Sequence, residues 1–400
     1  MIVDTPGIEN FSRKELARLL LDAGTEEADV QPQPSMAALL ADPVGPPKLK
    51  IPFPDGLAPR PQPIDPAPNA EAALPQADVL VVTWTVAELN ALADVLTPGV
   101  QRDAWYRYRR GFDERYAGQI REGAPAAKSR RLGSYFPTRI GAQSVVCFKS
   151  ELHLNQDGIA TGDGTATLPV KDLFRQLIEE VRPRLVITTG TAGATFLEHS
   201  LGDAVVTRGA KFRLSDEFKN EAFKSAEFRC DWWEIPTRHF DTANELMRRF
   251  HDRLVEPAFA PPTKRFDFAG PPLPAWPNEA RIRLEGTEGM PPFHPILTTD
   301  FFEFGTSANG MEHEGAAVEM GDAVLGMVCD ELDDPPAWVV VRNCSDPQIN
   351  ADLPTTPRAL NMQTHWAVWY YEKYGYWTSV NSAIACWAII AGLDGDGGGQ

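Results

Sequence analysis

Apolar residues in this chain occur as short runs that alternate with segments of helical spacing. The runs are rich in β-branched residues and are three to eight residues long, which is typical of buried strands. Predicted strands cover residues 79–82, 145–148, 185–187, 202–207, 295–302 and 337–341. Predicted helices cover residues 89–96, 173–178, 243–254, 315–331 and 364–393. A strand, a helix and a further strand in succession indicate a crossover connection, and therefore a mostly parallel sheet.

The strand Leu185-Val-Ile187 passes abruptly into the polar segment Thr188-Thr-Gly-Thr-Ala-Gly193. The carboxyl ends of strands in open α/β sheets are the usual place of ligand sites. Here glycines would let the backbone approach a ligand, and threonines would offer hydroxyl groups. A plain tight turn has the same local pattern, so this segment alone leaves both interpretations open.

Other predicted strands also end in polar groups, at Thr83–Glu88, Thr299–Phe302 and Arg342–Asp346. Glu88 falls in the first turn of the helix that follows the first strand, where the helix dipole favours a carboxylate. Asp346 follows Ser345 at a strand end, where it could equally cap a turn. We expect these strand ends to meet at one edge of the sheet.

The first 75 residues contain 14 of the 35 prolines, a density that opposes helices and central strands. The segment Ser12-Arg-Lys-Glu15 has the form of a capping box before a short helix. We predict a proline-rich arm over residues 1–75, a globular domain over 76–393 and a flexible tail over 394–400. The arm could bind a partner, wrap its own domain or act as a linker.

Composition excludes several classes of partner. A formal net charge of −17 opposes binding to nucleic-acid backbones or anionic membranes. The five cysteines are widely spaced and include no Cys-x-x-Cys pair, which indicates a reducing cytoplasmic location without a disulfide framework. The histidines are not spaced as metal ligands, so we predict neither a metal nor a cofactor.

Four motifs, in this order along the chain, resemble the nucleoside phosphorylase/nucleosidase superfamily, and most closely its 5′-methylthioadenosine/S-adenosylhomocysteine nucleosidases. The motifs are Thr189-Gly-Thr-Ala-Gly193, Gly202-Asp-Ala-Val-Val206, Ala317-Val-Glu-Met320 and Val340-Val-Arg-Asn-Cys-Ser-Asp346. The resemblance covers roughly residues 77–393. It implies a three-layer αβα fold around a mixed, partly closed sheet, and a homodimer or larger assembly.

The resemblance also implies an activity and a set of site residues. The activity is hydrolysis of the N-glycosidic bond of a purine nucleoside, with Asp346 as the acid on the purine side and Glu88 helping to activate water. Phe302 would stack on the base beside Thr299 and Asp300. The remaining substrate contacts would come from Thr191, Gly193, Glu319, Met320, Asp322 and Arg342.

Two features leave alternatives open. After Met320 the family usually has a second glutamate that binds the ribose, but here Gly321 and Asp322 follow, so Glu319, Asp322 or Glu314 could make this contact. A binding or sensor module with little catalysis is therefore a second interpretation. The first loop lacks the glycine-rich sequence and arginine of the phosphorylases, which favours water over phosphate. Arg130, Arg131 or Arg208 could still supply a phosphate site. A nicotinamide-dependent oxidoreductase ranks last, because the first strand turn lacks Gly-x-Gly-x-x-Gly.

Overall fold

The apolar runs form the centre of a mixed β-sheet in the computed structural model, which describes residues 49–254, 279–353 and 362–393. The strands in this part of the chain are β1 Arg60–Pro61, β2 Val79–Thr83, β3 Tyr106–Tyr108, β4 Gly133–Ile140, β5 Gln143–Ser150, β6 Leu185–Ala194, β7 Ala204–Thr207, β8 Gly209–Arg213, β9 Glu227–Arg229, β10 Ile282–Leu284, β11 Ile296–Thr299, β12 Ala317–Glu319 and β13 Ala337–Asp346. The α-helices are α1 Val86–Leu96, α2 Pro125–Ser129, α3 Leu154–Asp157, α4 Pro169–Val181, α5 Phe240–Arg248, α6 His251–Leu254, α7 Asp322–Asp330 and α8 Met362–Gly392.

The longest path through the sheet has the order β1-β4-β5-β2-β6-β12-β11-β8-β9, and β13 also pairs with β6. Strands β5, β2, β6 and β13 are mutually parallel, whereas β12 is antiparallel to β6. The connection from β2 to β5 contains α1, and the connection from β5 back across β2 to β6 contains α4. These two connections cross the sheet in opposite directions. Because crossover connections are right-handed, α1 and α4 lie on opposite faces of the sheet. The predicted mixed sheet between helical layers is confirmed, and the described strands do not close into a barrel.

Helix α8 lies on one face of the sheet, where it packs on strands β6 and β13 and on helices α1 and α5. Its segment from Ala383 to Ala391 is almost wholly buried, because it carries apolar residues all round and lies between the sheet and these helices. None of the described helices combines the length and the apolar character that a bilayer span requires.

Three differences separate the predicted elements from the observed ones. The strand predicted at 185–187 continues as β6 to Ala194, so the polar segment is strand and not loop. The helix predicted at 315–331 is instead strand β12 followed by helix α7, which begins at Asp322. The hairpin of β4 with β5 was missed, because the β4 sequence Gly-Ser-Tyr-Phe-Pro-Thr-Arg-Ile carries polar residues that tertiary contacts bury.

The described part of the proline-rich segment, residues 49–75, packs on the domain. Phe53 lies with its ring centroid 4.8 Å from that of Trp387, and the Trp387 indole Nε1 donates to the Leu57 carbonyl. Leu74 N donates to Glu180 on α4. The helix predicted after Ser12 and the tail predicted over 394–400 lie outside the described residues.

Candidate functional site

The Thr189–Gly193 segment lies where β6 changes its partner on one side. Strand β2 pairs with β6 only as far as Thr188, and β12 pairs with it from Gly193 onward. Between these points one edge of β6 has no strand beside it, and a pocket enclosing about 810 Å³ of empty space, including its opening, lies there. The pocket is lined by Trp84, Thr85, Glu88, His153, Thr191, Ala192, Gly193, Thr299, Phe302, Glu303, Val318, Glu319, Met320, Arg342, Ser345, Asp346, Ala367 and Tyr371.

Glu88 bridges the end of β2 to the free edge of β6. Thr85 caps helix α1 in a capping box with Glu88, as first-turn carboxylates do. The Glu88 Oε2 atom accepts hydrogen bonds from Thr83 Oγ1 (3.0 Å), Trp84 N (3.0 Å) and Thr85 N (2.8 Å). Its Oε1 atom accepts from both the backbone N and the Oγ1 of Thr191, each at 2.8 Å. The same carboxylate therefore caps a helix and satisfies the strand edge that β2 leaves open.

Gly190 is required beside this carboxylate for steric reasons. A Cβ atom at residue 190 would lie 2.5 Å from Glu88 Oε1 and 2.7 Å from Arg342 Nη1. A larger residue would displace Glu88 or Arg342, so the glycine of the motif allows both side chains to approach the strand.

Asp346, at the end of β13, lies beside Gly193 of β6. Gly193 is two residues further along β6 than Thr191 and therefore points to the same face. Residues i and i+2 of a strand point to one face, about 6–7 Å apart. Asp346 pairs with Gly193, and a Cβ atom at residue 193 would lie 3.0 Å from Asp346 Oδ2. The register of β13 against β6 shifts between Cys344 and Asp346. This bulge lets the consecutive residues Ser345 and Asp346 both line the pocket, which a regular strand would prevent.

The Asp346 carboxyl group is buried and has few donors. Ser345 Oγ donates to Asp346 Oδ1 at 3.0 Å, and no other hydrogen bond to this carboxyl is seen within the described residues. Burial raises the pKa of Asp346 to about 7, against the lowering effect of the Ser345 hydrogen bond. Near neutral pH, a substantial fraction of this group therefore holds a proton that it can donate.

Arg342 occupies the centre of a buried ionic cluster. Its Nε and Nη2 atoms donate to the two carboxylate oxygens of Asp322, at 2.7 and 2.6 Å, and Nη2 also donates to Glu319 Oε2 at 3.0 Å. The guanidinium carbon lies 4.8 Å from the centroid of the Trp84 ring. Burial opposes the charge of Arg342, but the charges of Asp322 and Glu319 outweigh this and raise its pKa.

Glu319 ends strand β12 and faces the pocket. Its Oε1 accepts from Asp322 N (2.9 Å) and from the Thr298 hydroxyl. Burial, together with the charge of Asp322, raises the pKa of Glu319, and Arg342 opposes this rise. Of the three carboxylates proposed for a ribose contact, Glu319 is the one that lines the pocket.

The other two carboxylates are committed elsewhere. Asp322 is fully buried behind Arg342 and does not line the pocket. Glu314 is partly exposed and pairs with Arg213 at 2.7 Å. The predicted ligand contact of Asp322 is therefore replaced by a structural role: it holds Arg342.

Asp300 is also placed differently from the prediction. Its carboxylate accepts hydrogen bonds from the backbone N atoms of Ser215, Asp216 and Phe218, and it does not line the pocket. The neighbouring Thr299 and the partly buried Phe302 do line it. Asp300 thus shapes the loop after β8 and does not face a ligand.

Several lining residues were missed by sequence reasoning. Trp84 directly follows β2, and its position beside a strand end was a usable signal. Glu303, His153 and Tyr371 carried no such signal, because loops and helix α8 bring them to the pocket from distant parts of the chain. Within the described ranges, no group of three or more His, Cys, Asp and Glu side chains is arranged to hold a metal.

Comparison with known proteins identifies similar folds only among solved structures. No family model and no curated protein matches the sequence. The 5′-methylthioadenosine/S-adenosylhomocysteine nucleosidase of Neisseria meningitidis, in complex with methylthio-immucillin-A, is 15% identical, with a TM-score of 0.42, over 78% of this chain and 99% of that one. The futalosine hydrolase of Helicobacter pylori is 10% identical, with a TM-score of 0.39, over 78% and 96%. The S-adenosylhomocysteine nucleosidase of Streptococcus pyogenes, in complex with 5-methylthiotubericidin, is 12% identical, with a TM-score of 0.41, over 80% and 99%.

These solved structures belong to the superfamily that the four motifs resemble. Identities of 15% or less and TM-scores below 0.5 do not carry an activity from one chain to another. The function of this chain is therefore argued from its own pocket.

Proposed function

We propose that this chain hydrolyses the N-glycosidic bond of a purine nucleoside, releasing the free base and a ribose derivative. One observation carries the proposal: a carboxyl group with a pKa of about 7, Asp346, shares a pocket with the buried Glu88, whose carboxylate accepts five hydrogen bonds. Cleavage of a glycosidic bond needs an acid for the leaving group and negative charge near the electron-poor sugar. Both requirements are met by carboxyl groups, which lie in two different environments.

We call the end of the pocket formed by Gly193, Phe302, Ser345 and Asp346 the base end. The leaving purine would be protonated there. Phe302 offers a flat apolar surface on which the base can stack. Asp346 would donate its proton to the purine as the bond from C1′ to the base nitrogen breaks. The Ser345 hydroxyl remains as a donor to the carboxylate that forms.

We call the other end, formed by Glu88, Thr191, Glu319 and Arg342, the sugar end. The charge of Glu88 would stabilise the oxocarbenium-like transition state there. Thr191 Oγ1 donates to Glu88, so its lone pairs are free to accept a hydrogen bond from the attacking water. The water oxygen then bonds to C1′, and its released proton passes to Glu88. Glu319, which ends strand β12 beside Met320, would accept from a ribose hydroxyl.

The charges around the pocket favour water over phosphate as the nucleophile. Among the described lining residues the permanent cation is Arg342, and its donors already bind Asp322 and Glu319. Of the other candidate arginines, Arg131 forms a salt bridge with Glu151 at 2.7 Å. Arg130 and Arg208 are paired with Asp113 and Glu285 and do not line the pocket. A phosphate ion would therefore have to compete with existing ion pairs.

Base release from a panel of purine nucleosides, with and without inorganic phosphate, tests the proposal. We expect release in phosphate-free buffer at an unchanged rate when phosphate is added. Release that requires phosphate would replace the hydrolase by a phosphorylase. Tight binding without any product, at high protein concentration, would favour the sensor module instead.

We further propose that residues 76–393 form the catalytic domain, with the first 75 residues as an arm. The homodimeric or larger assembly implied by the resemblance and the cytoplasmic location remain predictions. Size-exclusion chromatography with light scattering tests the first of these directly.

A further inference from the structure

A buried histidine that the proposed reaction leaves unused lies in the pocket wall. His153 is 4% exposed, and its Nε2 atom has no hydrogen-bond partner. Among the described residues that line the pocket, His153 is the one with a buried side-chain nitrogen or oxygen in this condition. A buried polar atom without a hydrogen-bond partner costs stability. A ligand that supplies a hydrogen-bonding group to this histidine would therefore be bound selectively.

The backbone of His153 is held in place from both sides. Its backbone N donates at 2.6 Å to Oδ2 of Asp157, the last residue of helix α3. The preceding residue, Leu152, accepts from Trp84 Nε1 at 3.1 Å, and the Trp84 ring centroid lies 6.4 Å from that of His153. These contacts hold the backbone segment that carries the imidazole.

His153 belongs to the sugar end of the pocket. Asn155, two residues further on, donates to the sulfur of Met320 at 3.1 Å, and Met320 follows Glu319. The Trp84 ring, 6.4 Å from that of His153, also stacks on Arg342, which pairs with Glu319. These contacts connect His153 to the carboxylate assigned to the ribose.

The imidazole is uncharged. Burial, together with the positive charges of Lys149 and Arg342, holds the pKa of His153 well below its ordinary range. A neutral imidazole can accept a hydrogen bond at one nitrogen and donate at the other, which suits a hydroxyl group. A ligand carboxylate in this region would meet the negative charges of Glu88 and Glu319.

We infer that the His153 imidazole binds one hydroxyl group of the nucleoside's sugar, and that this contact selects substrates carrying that hydroxyl. The inference rests on the proposed function and deepens it, because it adds a specificity-determining residue to the same site. It does not give His153 a part in bond cleavage.

His199 provides a matched control. It is 6% exposed, its Nδ1 atom also lacks a partner, and burial together with nearby arginines lowers its pKa to about 3. It does not line the pocket. A general effect of altering a buried neutral histidine should therefore appear equally in both variants.

The experiment compares wild type, His153→Phe and His199→Phe on a ribonucleoside and on its 2′-, 3′- and 5′-deoxy analogues. Taking the ratio of variant to wild-type kcat/KM for each compound cancels the intrinsic reactivity of the analogues. We expect His153→Phe to lose about tenfold, the order expected for one hydrogen bond, on every compound except the analogue that lacks the bound hydroxyl. His199→Phe should stay near wild type on all of them, and His153→Gln should recover part of the loss because its side chain can again pair with a hydroxyl.

Equal losses on all four compounds would show a structural role, and no loss would show no contact; either result overturns the inference. If His153→Phe does not fold, His153→Leu, which also lacks a polar side-chain atom, provides the same comparison, with circular dichroism reporting folding. If wild type releases no base, the proposed function fails, and calorimetric titration with the same four compounds tests His153 independently. The same pattern in Kd would support the contact, whereas equal ratios, or no binding of any nucleoside, would overturn it.

Discussion

The two ends of the pocket contain the same kind of side chain in opposite electrostatic conditions. At the sugar end, Glu88 accepts five hydrogen bonds. At the base end, Asp346 accepts one described hydrogen bond, from Ser345, and has no described salt bridge. Donors and a neighbouring cation stabilise the ionised form of a carboxyl group, while burial without them stabilises the protonated form.

The difference shows how one pocket can contain both a carboxyl group with almost no donors and a carboxyl group surrounded by donors. Glu88 and Asp346 are both buried, so burial alone does not distinguish them. The two residues differ in the number of donors that point at each carboxyl group. Removing the Asp346 proton and removing the Arg342 ion pairs are therefore the two most direct tests of this difference.

Removing the acid should have the largest effect. Asp346→Asn keeps the size of the side chain but has no carboxyl proton to transfer to the leaving base. General acid catalysis contributes about 10²–10⁴-fold, so kcat should fall by that order while the fold is kept. Steady-state base release and circular dichroism measure the two quantities. Turnover equal to wild type would remove Asp346 from the mechanism.

Replacing the central cation should cost stability. Arg342→Lys cannot make the two-atom contact with Asp322 while it also pairs with Glu319 and stacks on Trp84. Losing hydrogen bonds between buried charged groups should lower the free energy of unfolding by about 3 kcal/mol. Urea denaturation measures this difference.

Arg213→Lys is the matched control for this measurement. Arg213 also pairs with two carboxylates, Glu303 and Glu314, but its side chain is 37% exposed. Exposed ion pairs contribute up to about 1 kcal/mol, so this variant should change stability by less than that. Equal losses in the two variants would mean that the buried cluster has no special role.

The raised pKa of Asp346 predicts a pH dependence for activity. The acid is present below pH 7 and is lost as the pH rises through about 7, so kcat should fall by about tenfold per pH unit above that range. A pH–rate profile tests this. A rate that stays constant from pH 6 to pH 9 would contradict the assignment.

The stability should follow the same group. A carboxyl whose folded-state pKa lies above its unfolded value contributes stability that is fully present below the unfolded value and is lost as the pH rises through about 7. Asp346→Asn lacks this ionisation. Its melting temperature should therefore rise relative to wild type as the pH is raised from 5 to 8, and a constant difference would argue against a raised pKa.

The smallest effect is expected at the stacking surface of the base end. Phe302 is partly buried and lies 5.7 Å from the ring of Phe304 in an edge-to-face contact. Phe302→Ala removes a stacking partner worth about 1–3 kcal/mol, so KM should rise by about tenfold with a smaller change in kcat. A change confined to kcat would show that the ring does not bind the base.

Much of the fold could be read from hydrophobic runs, because a strand buried on both faces must be apolar throughout. Val79–Thr83 and Ala337–Val341 are such strands. The polar continuation of β6 could not be predicted, since the backbone N and the hydroxyl of Thr191 are paired by Glu88, which lies far away in the chain. The split of residues 315–331 was hidden for a related reason: β12 is three residues long and is fixed by pairing with β11 and β6.

The amino-acid sequence by itself determined the succession of strands and helices, the capping glutamate after the first strand and the chemical groups at the strand ends. Tertiary structure decided which of those groups face one another. The bulge at Ser345 turns two consecutive side chains into the pocket, and Arg342 draws Asp322 away from it. The pairing register, the ion pairs and the desolvation that raises the pKa of Asp346 all depend on residues far apart in the chain. They exist only once those residues are packed together.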